Sequence, residues 1–138
     1  EVLPPRGTSA ATEIPLLGKV AAGTPIESLM HQESIAVPDQ MLPRRGPNYA
    51  LRVQGASMID EHICDGDIAL IENRTDARDG EIVVALLVDE NQATLKRLYR
   101  KGPIVELHPA NSQLEPLSVA ASQVRVQGIF RGLLRPSI

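Results

Sequence analysis

Aromatic side chains are scarce in this sequence of 138 residues, which has two tyrosines, one phenylalanine and no tryptophan. Proteins that bind single-stranded nucleic acid commonly stack the bases on aromatic rings. The net charge of −3 also leaves no excess of lysine and arginine for phosphate contacts. Both features argue against direct nucleic-acid binding by this chain.

Cysteine is equally rare, because Cys64 is the only one and no internal disulfide can form. A lone thiol is consistent with a reducing compartment, and we expect a cytoplasmic location. The sequence contains no run of about 18 apolar residues, the length that a membrane-spanning helix requires. We therefore expect no association with a membrane.

Short apolar or alternating segments, separated by turn-forming residues, make up most of the chain. Their spacing of roughly 8–12 residues predicts a mainly β fold, a compact sandwich or barrel-like domain of short antiparallel strands with little helix. Residues 58–64 are expected to form one helical turn. Gly128 and Gly132 are expected to mark bulges or close backbone approach in the last strand. The expected strands are residues 14–20, 34–38, 49–54, 68–72, 81–88, 93–99, 104–108 and 124–134.

The first residues differ in composition from the rest. Pro4, Pro5 and Gly7 lie in a stretch without periodicity, so residues 1–13 are expected to be an interdomain linker. Residues 14–138 are expected to form the folded domain. Because a linker joins two domains, we expect an upstream domain that is absent from this sequence.

The stretch Gly55-Ala56-Ser57-Met58 carries the candidate nucleophile. An alternating segment runs into a glycine and a small residue, a pattern typical of a strand that ends in a sharp turn. Such a turn would expose the hydroxyl of Ser57. Serine is a weak nucleophile unless a base lies nearby, and Ser57 taken alone is equally well explained as a turn residue.

Lys96 is the candidate base for Ser57. A lysine acts as a base near neutral pH only if its pKa falls well below the usual value of about 10.4, and burial is the usual cause. Strand alternation puts Lys96 on one face with Thr94 and Leu98, which allows it to point inward. Taken alone, Lys96-Arg97 is better explained as an exposed pair on a hairpin strand.

His62, Cys64 and His108 offer other chemistry. A zinc site usually needs two paired ligand motifs, and no second motif accompanies His62 and Cys64. The pairs Cys64–His108 and Ser57–His62 stay open as nucleophile and base, because only folding could bring them together. Asp65-Gly66-Asp67 lacks the further oxygen ligands of a calcium loop and indicates a tight turn. We predict no metal site and no cofactor.

Three segments become specific when they are taken together and in order. They are Val20-Ala21-Ala22-Gly23, then Gly55-Ala56-Ser57-Met58 with Asp65-Gly66-Asp67 following, then Leu95-Lys96-Arg97-Leu98. This arrangement resembles the carboxy-terminal domain of the LexA-type SOS repressors, a self-cleaving peptidase of the S24 type. The similarity also includes residues 105–111 and 128–134, and it spans residues 14–138.

The resemblance implies a role for each matching residue. Ser57 would be the nucleophile, and uncharged Lys96 would accept its proton and later protonate the leaving amine. The bond cut would be Ala22–Gly23 of the same chain. Backbone N–H groups near Ser57, with Met58 as the neighbouring position, would stabilise the oxyanion.

The resemblance also implies partners. The domain would form a homodimer, partly through its final strand, and a RecA filament on single-stranded DNA would stimulate its cleavage. Operator DNA would be bound only by an upstream helix-turn-helix domain, and cleavage would relieve repression of DNA-damage genes. The sequence departs from some family members at Ala56, Gln92 and Ala93, which leaves the tuning of Lys96 open.

Three other hypotheses compete with the repressor. An accessory subunit of a translesion DNA polymerase, of the UmuD type, has the same Ser–Lys pair but only a short arm before the cut site, so the expected linker favours the repressor. A bacterial signal peptidase shares the chemistry but needs a membrane anchor. A purely structural β domain would require the three matching segments to be coincidental.

Overall fold

In the computed structural model of this protein, the described residues are 11–18, 33–42, 48–90 and 92–135. Short 3-10 helices at Asp39–Met41, Ile59–Glu61 and Ala121–Gln123 are the only helices within these ranges. The same ranges contain nine strands: β1 (Ala11–Leu17), β2 (Ser34–Pro38), β3 (Asn48–Arg52), β4 (Ile68–Glu72), β5 (Ile82–Leu87), β6 (Gln92–Lys101), β7 (Ile104–His108), β8 (Leu117–Ala120) and β9 (Val124–Leu134).

The strands form one sheet, which confirms the predicted mainly β fold. Their order across the sheet is β2-β1-β3-β4-β9-β5-β6-β7-β8, and the sheet is not closed into a barrel. Neighbouring strands run antiparallel except β1 and β3, which are parallel. Strands β2, β4, β7 and β9 have the bounds that the sequence predicted.

Strands β3, β5 and β6 differ from their predicted bounds by one or two residues at each end. Strands β1 and β8 depart further, because pairing rather than apolar periodicity determines them. Strand β1 begins at Ala11, inside the expected linker, because residues 11–15 pair with β2. Strand β8 was not predicted, since three of its four residues are exposed; it is held by pairing with β7. Residues 19 and 20, expected to end the first strand, lie outside the described residues.

The centre of the sheet contacts the turn that carries Ser57. Met58, only 2% exposed, packs in a core cluster with residues of β3, β4, β5 and β6. Burying a side chain of this size contributes about 1.5–3 kcal/mol, so Met58 anchors the turn to the core. The other members of this cluster are Leu17, Tyr49, Leu51, Ile63, Ala69, Ile71, Val84 and Leu95.

Strand β9 lies between β4 and β5, and its pairing with each contains a register shift. A Cβ atom on Gly128 would clash with the Ile71 side chain and lie 2.9 Å from the Glu72 carbonyl oxygen and 3.0 Å from the Tyr49 hydroxyl. The Tyr49 hydroxyl donates a hydrogen bond to the Gln127 carbonyl (3.0 Å). The prediction of bulges and close backbone approach in this strand is therefore confirmed.

We expect Gly128→Ala to lower the free energy of unfolding by about 1–3 kcal/mol or more, because the added methyl group overlaps packed atoms. Gly132→Ala is the control on the same strand, since its Cβ would come no closer than 3.4 Å, to Leu70 Cδ1. We expect that variant to stay within about 1 kcal/mol. Urea denaturation measures both, and equal destabilisation of the two variants would contradict the packing account.

Candidate active site

Ser57 lies in a sharp turn that begins where β3 ends. Val53, the first residue after β3, is held through both of its backbone polar groups. Its N–H donates to the Asp67 carbonyl (2.8 Å), and its carbonyl accepts from Gly66 N–H (2.9 Å). Gly55 has a φ of 87°, a conformation that favours glycine, and its N–H donates to Asp65 Oδ1 (2.7 Å). The Asp65-Gly66-Asp67 segment therefore holds the approach to Ser57.

The loop that follows β7 holds the same turn from another direction. Ala110 N–H donates to the Ser57 carbonyl (2.7 Å), and Asn111 Nδ2 donates to the Ala56 carbonyl (2.7 Å). A third hydrogen bond runs in the opposite direction, from Asp60 N–H to the Ala110 carbonyl (2.6 Å). The backbone around Ser57 is thus bound by two separate loops.

Strand β6 brings Lys96 to this turn. Lys96 Nζ donates a hydrogen bond to Ser57 Oγ (3.0 Å) and a second one to Thr94 Oγ1. Lys96 is half-buried, and burial lowers its pKa below the ordinary lysine value. The structure therefore brings together the two residues that the sequence singled out, and Thr94 joins them from the same strand face.

The N–H groups of Ser57 and Met58 are candidate donors to a ligand oxygen. No acceptor for the N–H of Ser57 or Met58 is found among the residues that the structure describes. A cleft of about 170 Å³ adjoins the turn, with mostly apolar walls. It is lined by Gly18, Leu51, Arg52, Val53, Gln54, Gly55, Ser57, Met58, Gln92, Ala93, Thr94 and Leu95.

The expected cut site, Ala22–Gly23, lies outside the described residues. The alternative pairs are not formed where both partners are described: no hydrogen bond joins Ser57 to His62 or Cys64 to His108. His108 instead contacts Glu106 Oε1 at 3.0 Å through Nε2. In the described ranges, no group of three or more His, Cys, Asp and Glu residues is placed to hold a metal ion.

A buried carboxylate supports the segment that fixes Val53, and sequence analysis placed it in a tight turn but assigned it no role of its own. Asp67 is 2% exposed, and its carboxylate accepts Arg135 Nε and Nη2 at 2.9 Å each and Cys64 N–H at 2.8 Å. The hydrogen bond from Arg135 is the main cause that lowers the pKa of Asp67. Arg135, which directly follows β9, also donates to the His62 carbonyl (2.9 Å). It therefore connects the end of β9 to both His62 and Asp67.

Comparison with known proteins places the sequence of this chain in a family. Residues 15–131 match the family model described as Peptidase S24-like.

The chain belongs to the S24-like peptidase family.

Individual relatives of this S24-like chain agree with the family match. It is 46% identical to a LexA repressor of Syntrophobacter fumaroxidans over 92% of its own length and 60% of the relative's. It is 44% identical to a LexA repressor of Koribacter versatilis, covering 98% of itself and 68% of the relative. It is also 46% identical to a LexA repressor of Zymomonas mobilis, covering 96% of itself and 60% of the relative.

These matches confirm the resemblance to LexA-type repressors and imply a serine peptidase type of domain. The S24-like chain spans about 60–68% of the length of these three relatives. Within the described segments, none of the helices has the length and apolar character needed to cross a membrane.

The Asp67 carboxylate makes a pH-dependent contribution to stability. Because its folded-state pKa is lowered, the contribution is present above the unfolded value of about 3.9 and is lost as the pH falls through the folded-state pKa. We expect Asp67→Asn to lower the unfolding free energy most at neutral pH, with a difference from the unsubstituted chain that shrinks below about pH 4. Urea denaturation across pH measures this difference.

Asp76→Asn is the control for the loss of one negative charge, since that side chain is 82% exposed. It should change stability little at any pH, because exposed ion pairs contribute little. A deficit for Asp67→Asn that stays constant from neutral to acid pH would contradict the assignment.

Proposed function

We propose that this chain is the self-cleaving peptidase and dimerisation domain of a LexA-type SOS repressor. The observation that carries the proposal is the contact of Lys96 Nζ with Ser57 Oγ at 3.0 Å. A half-buried amine beside a serine hydroxyl is the arrangement that a Ser–Lys pair needs. Membership in the S24-like family supports the same chemistry.

In the proposed reaction, the neutral amine of Lys96 takes the proton of Ser57 as the oxygen attacks the carbonyl carbon of Ala22. The resulting oxyanion is stabilised by backbone N–H groups at the turn, for which we propose those of Ser57 and Met58, which have no acceptor among the described residues. The bond to Gly23 then breaks, and Lys96 returns the proton to the leaving amine. Water hydrolyses the acyl-enzyme with Lys96 again as the base.

Burial explains why lysine can serve as this base. An ammonium group loses hydration in a half-buried position, so the neutral form becomes accessible at a lower pH than in water. The Thr94 hydroxyl accepts a hydrogen bond from Nζ and so orients the amine on the strand. Ala22 and Gly23 suit a closed cleft because small side chains do not hinder the approach of Ser57.

An intramolecular cut needs restraint, because the target bond is present at high effective concentration. We propose that a RecA filament on single-stranded DNA favours the conformation in which the cut site reaches Ser57. Such a filament must bind that conformation more tightly than the resting one. A homodimer, an upstream helix-turn-helix domain that binds operator DNA, and a cytoplasmic location complete the proposed repressor.

The relatives favour this proposal over a UmuD-like polymerase subunit. All three relatives described above are LexA repressors, and each is longer than the region that the chain matches. The difference in length leaves room for a DNA-binding domain in the whole protein. Loss of operator binding after cleavage would then release the DNA-damage genes from repression.

Ser57→Ala and Lys96→Ala are each expected to reduce self-cleavage at alkaline pH by on the order of 10⁴-fold or more, because nucleophile and base act as a unit. Mass spectrometry of the incubated chain would show the two fragments of an Ala22–Gly23 cut only for the unsubstituted protein. Lys101→Ala, at an exposed lysine on the same strand, is the matched control and should cleave normally. Fragments from either Ser57→Ala or Lys96→Ala would contradict the proposal.

The first-order cleavage rate is expected to rise with pH and then level off, because only neutral Lys96 accepts a proton. Burial lowers the pKa of Lys96, so the midpoint should lie below the ordinary lysine value of about 10.4. Quenched time points analysed by gel densitometry give the profile. A rate that does not change between neutral and strongly alkaline pH would remove lysine from the role of base.

A further inference from the structure

One loop holds two consecutive peptide groups at Ser57. Asn111 Nδ2 donates to the carbonyl of Ala56 (2.7 Å), and Ala110 N–H donates to the carbonyl of Ser57 itself (2.7 Å). The Ala56 carbonyl accepts a second, longer hydrogen bond from Ile59 N–H (3.2 Å). Both peptide groups are therefore oriented from their carbonyl side.

The orientation of a carbonyl fixes the N–H of the same peptide. A trans peptide is planar, and its C=O and N–H point in opposite directions. Holding the Ala56 carbonyl therefore aims the N–H of Ser57, and holding the Ser57 carbonyl aims the N–H of Met58. These are the two donors that have no acceptor in the described part of the chain.

The Asn111 side chain is itself fixed at both of its polar atoms. Its Oδ1 accepts Gln113 N–H (2.8 Å) while its Nδ2 donates to Ala56, so the two contacts assign the orientation of the amide. The adjacent Ala110 carbonyl is bound by Asp60 N–H (2.6 Å). A side chain restrained in this way loses little further entropy when it holds a peptide plane.

We propose that Asn111 is a positioning residue for self-cleavage, which holds the peptide between Ala56 and Ser57 so that the Ser57 N–H meets the developing oxyanion. The inference rests on the proposed function, since it assigns a role within that reaction. Asn111 touches no reacting atom and acts only through the backbone at Ser57. A misaimed donor weakens the stabilisation of the transition state but leaves the Lys96–Ser57 contact in place.

The test compares two substitutions of Asn111 in this chain. Asn111→Ser keeps an oxygen that can accept Gln113 N–H, but its shorter side chain lacks the amide nitrogen that reaches the Ala56 carbonyl. Asn111→Ala loses both contacts. Removing a whole oxyanion-hole donor slows catalysis by about 10²–10³-fold, and Ile59 N–H still binds the Ala56 carbonyl. We therefore expect both variants to lower the plateau cleavage rate at alkaline pH by roughly 10-fold.

Two further readouts separate positioning from a structural role. The midpoint of the pH–rate profile should not move, because it reports Lys96. Thermal denaturation followed by circular dichroism should show folded protein at the assay temperature. Asp79→Ala is the matched control, since it also removes a hydrogen bond between a loop side chain and a backbone atom, Arg100 N–H (2.9 Å), and it should cleave normally.

Each outcome has a clear consequence. A plateau rate for Asn111→Ser equal to that of the unsubstituted chain overturns the inference, and so does a slow rate confined to Asn111→Ala, which would assign the effect to the turn at Gln113. An equal loss of rate in Asp79→Ala also overturns it. Cleavage by Ser57→Ala would overturn the proposed function, and the role of Asn111 with it.

Discussion

The contact on which the functional account depends is the hydrogen bond from Lys96 Nζ to Ser57 Oγ at 3.0 Å. Water reaches the half-buried amine only in part, so its charged form is less well solvated than in a surface lysine. A lowered pKa brings the neutral amine, the one protonation state in which lysine can accept the serine proton, within reach at a lower pH. Without that partial burial, the same two residues would form an ordinary surface contact.

The rest of the fold keeps these two groups at a fixed separation. Lys96 lies in a strand paired with β5, and Ser57 lies in a turn held by the Asp65-Gly66-Asp67 segment and by the loop at Asn111. Met58 fixes the turn to the core by burying its side chain. A loop would otherwise be the most mobile part of such a domain, so several independent contacts are needed to hold the Ser57 hydroxyl in place.

Local sequence patterns predicted the strands that carry their own signal. Strands β4 and β7 have the predicted bounds because turn residues flank each apolar segment. Strand β8 could not be predicted because its four residues are mostly exposed and too few to show an apolar pattern. Its pairing with β7 holds it in the sheet. The register shifts of β9 lie beside Gly128 and Gly132, and the two glycines indicated such irregularities without giving their register.

The candidate site could be predicted only in part. Alternation placed Thr94 and Lys96 on one strand face, and resemblance to the LexA-type repressors paired Lys96 with Ser57 across 39 positions of sequence. No periodicity connects Asn111 or Arg135 to the turn, because both reach it through side-chain contacts that exist only in the folded chain. Asn111 lay within a segment that resembles the family, but that resemblance assigned it no role.

The pKa of Lys96 is the quantity that tests the central claim most directly. It is measured by NMR titration of the lysine side-chain carbon and nitrogen shifts in Ser57→Ala, which keeps the chain intact across the titration. The account predicts a Lys96 titration below the ordinary lysine value of about 10.4. A Lys96 value at or above the ordinary lysine value would contradict it.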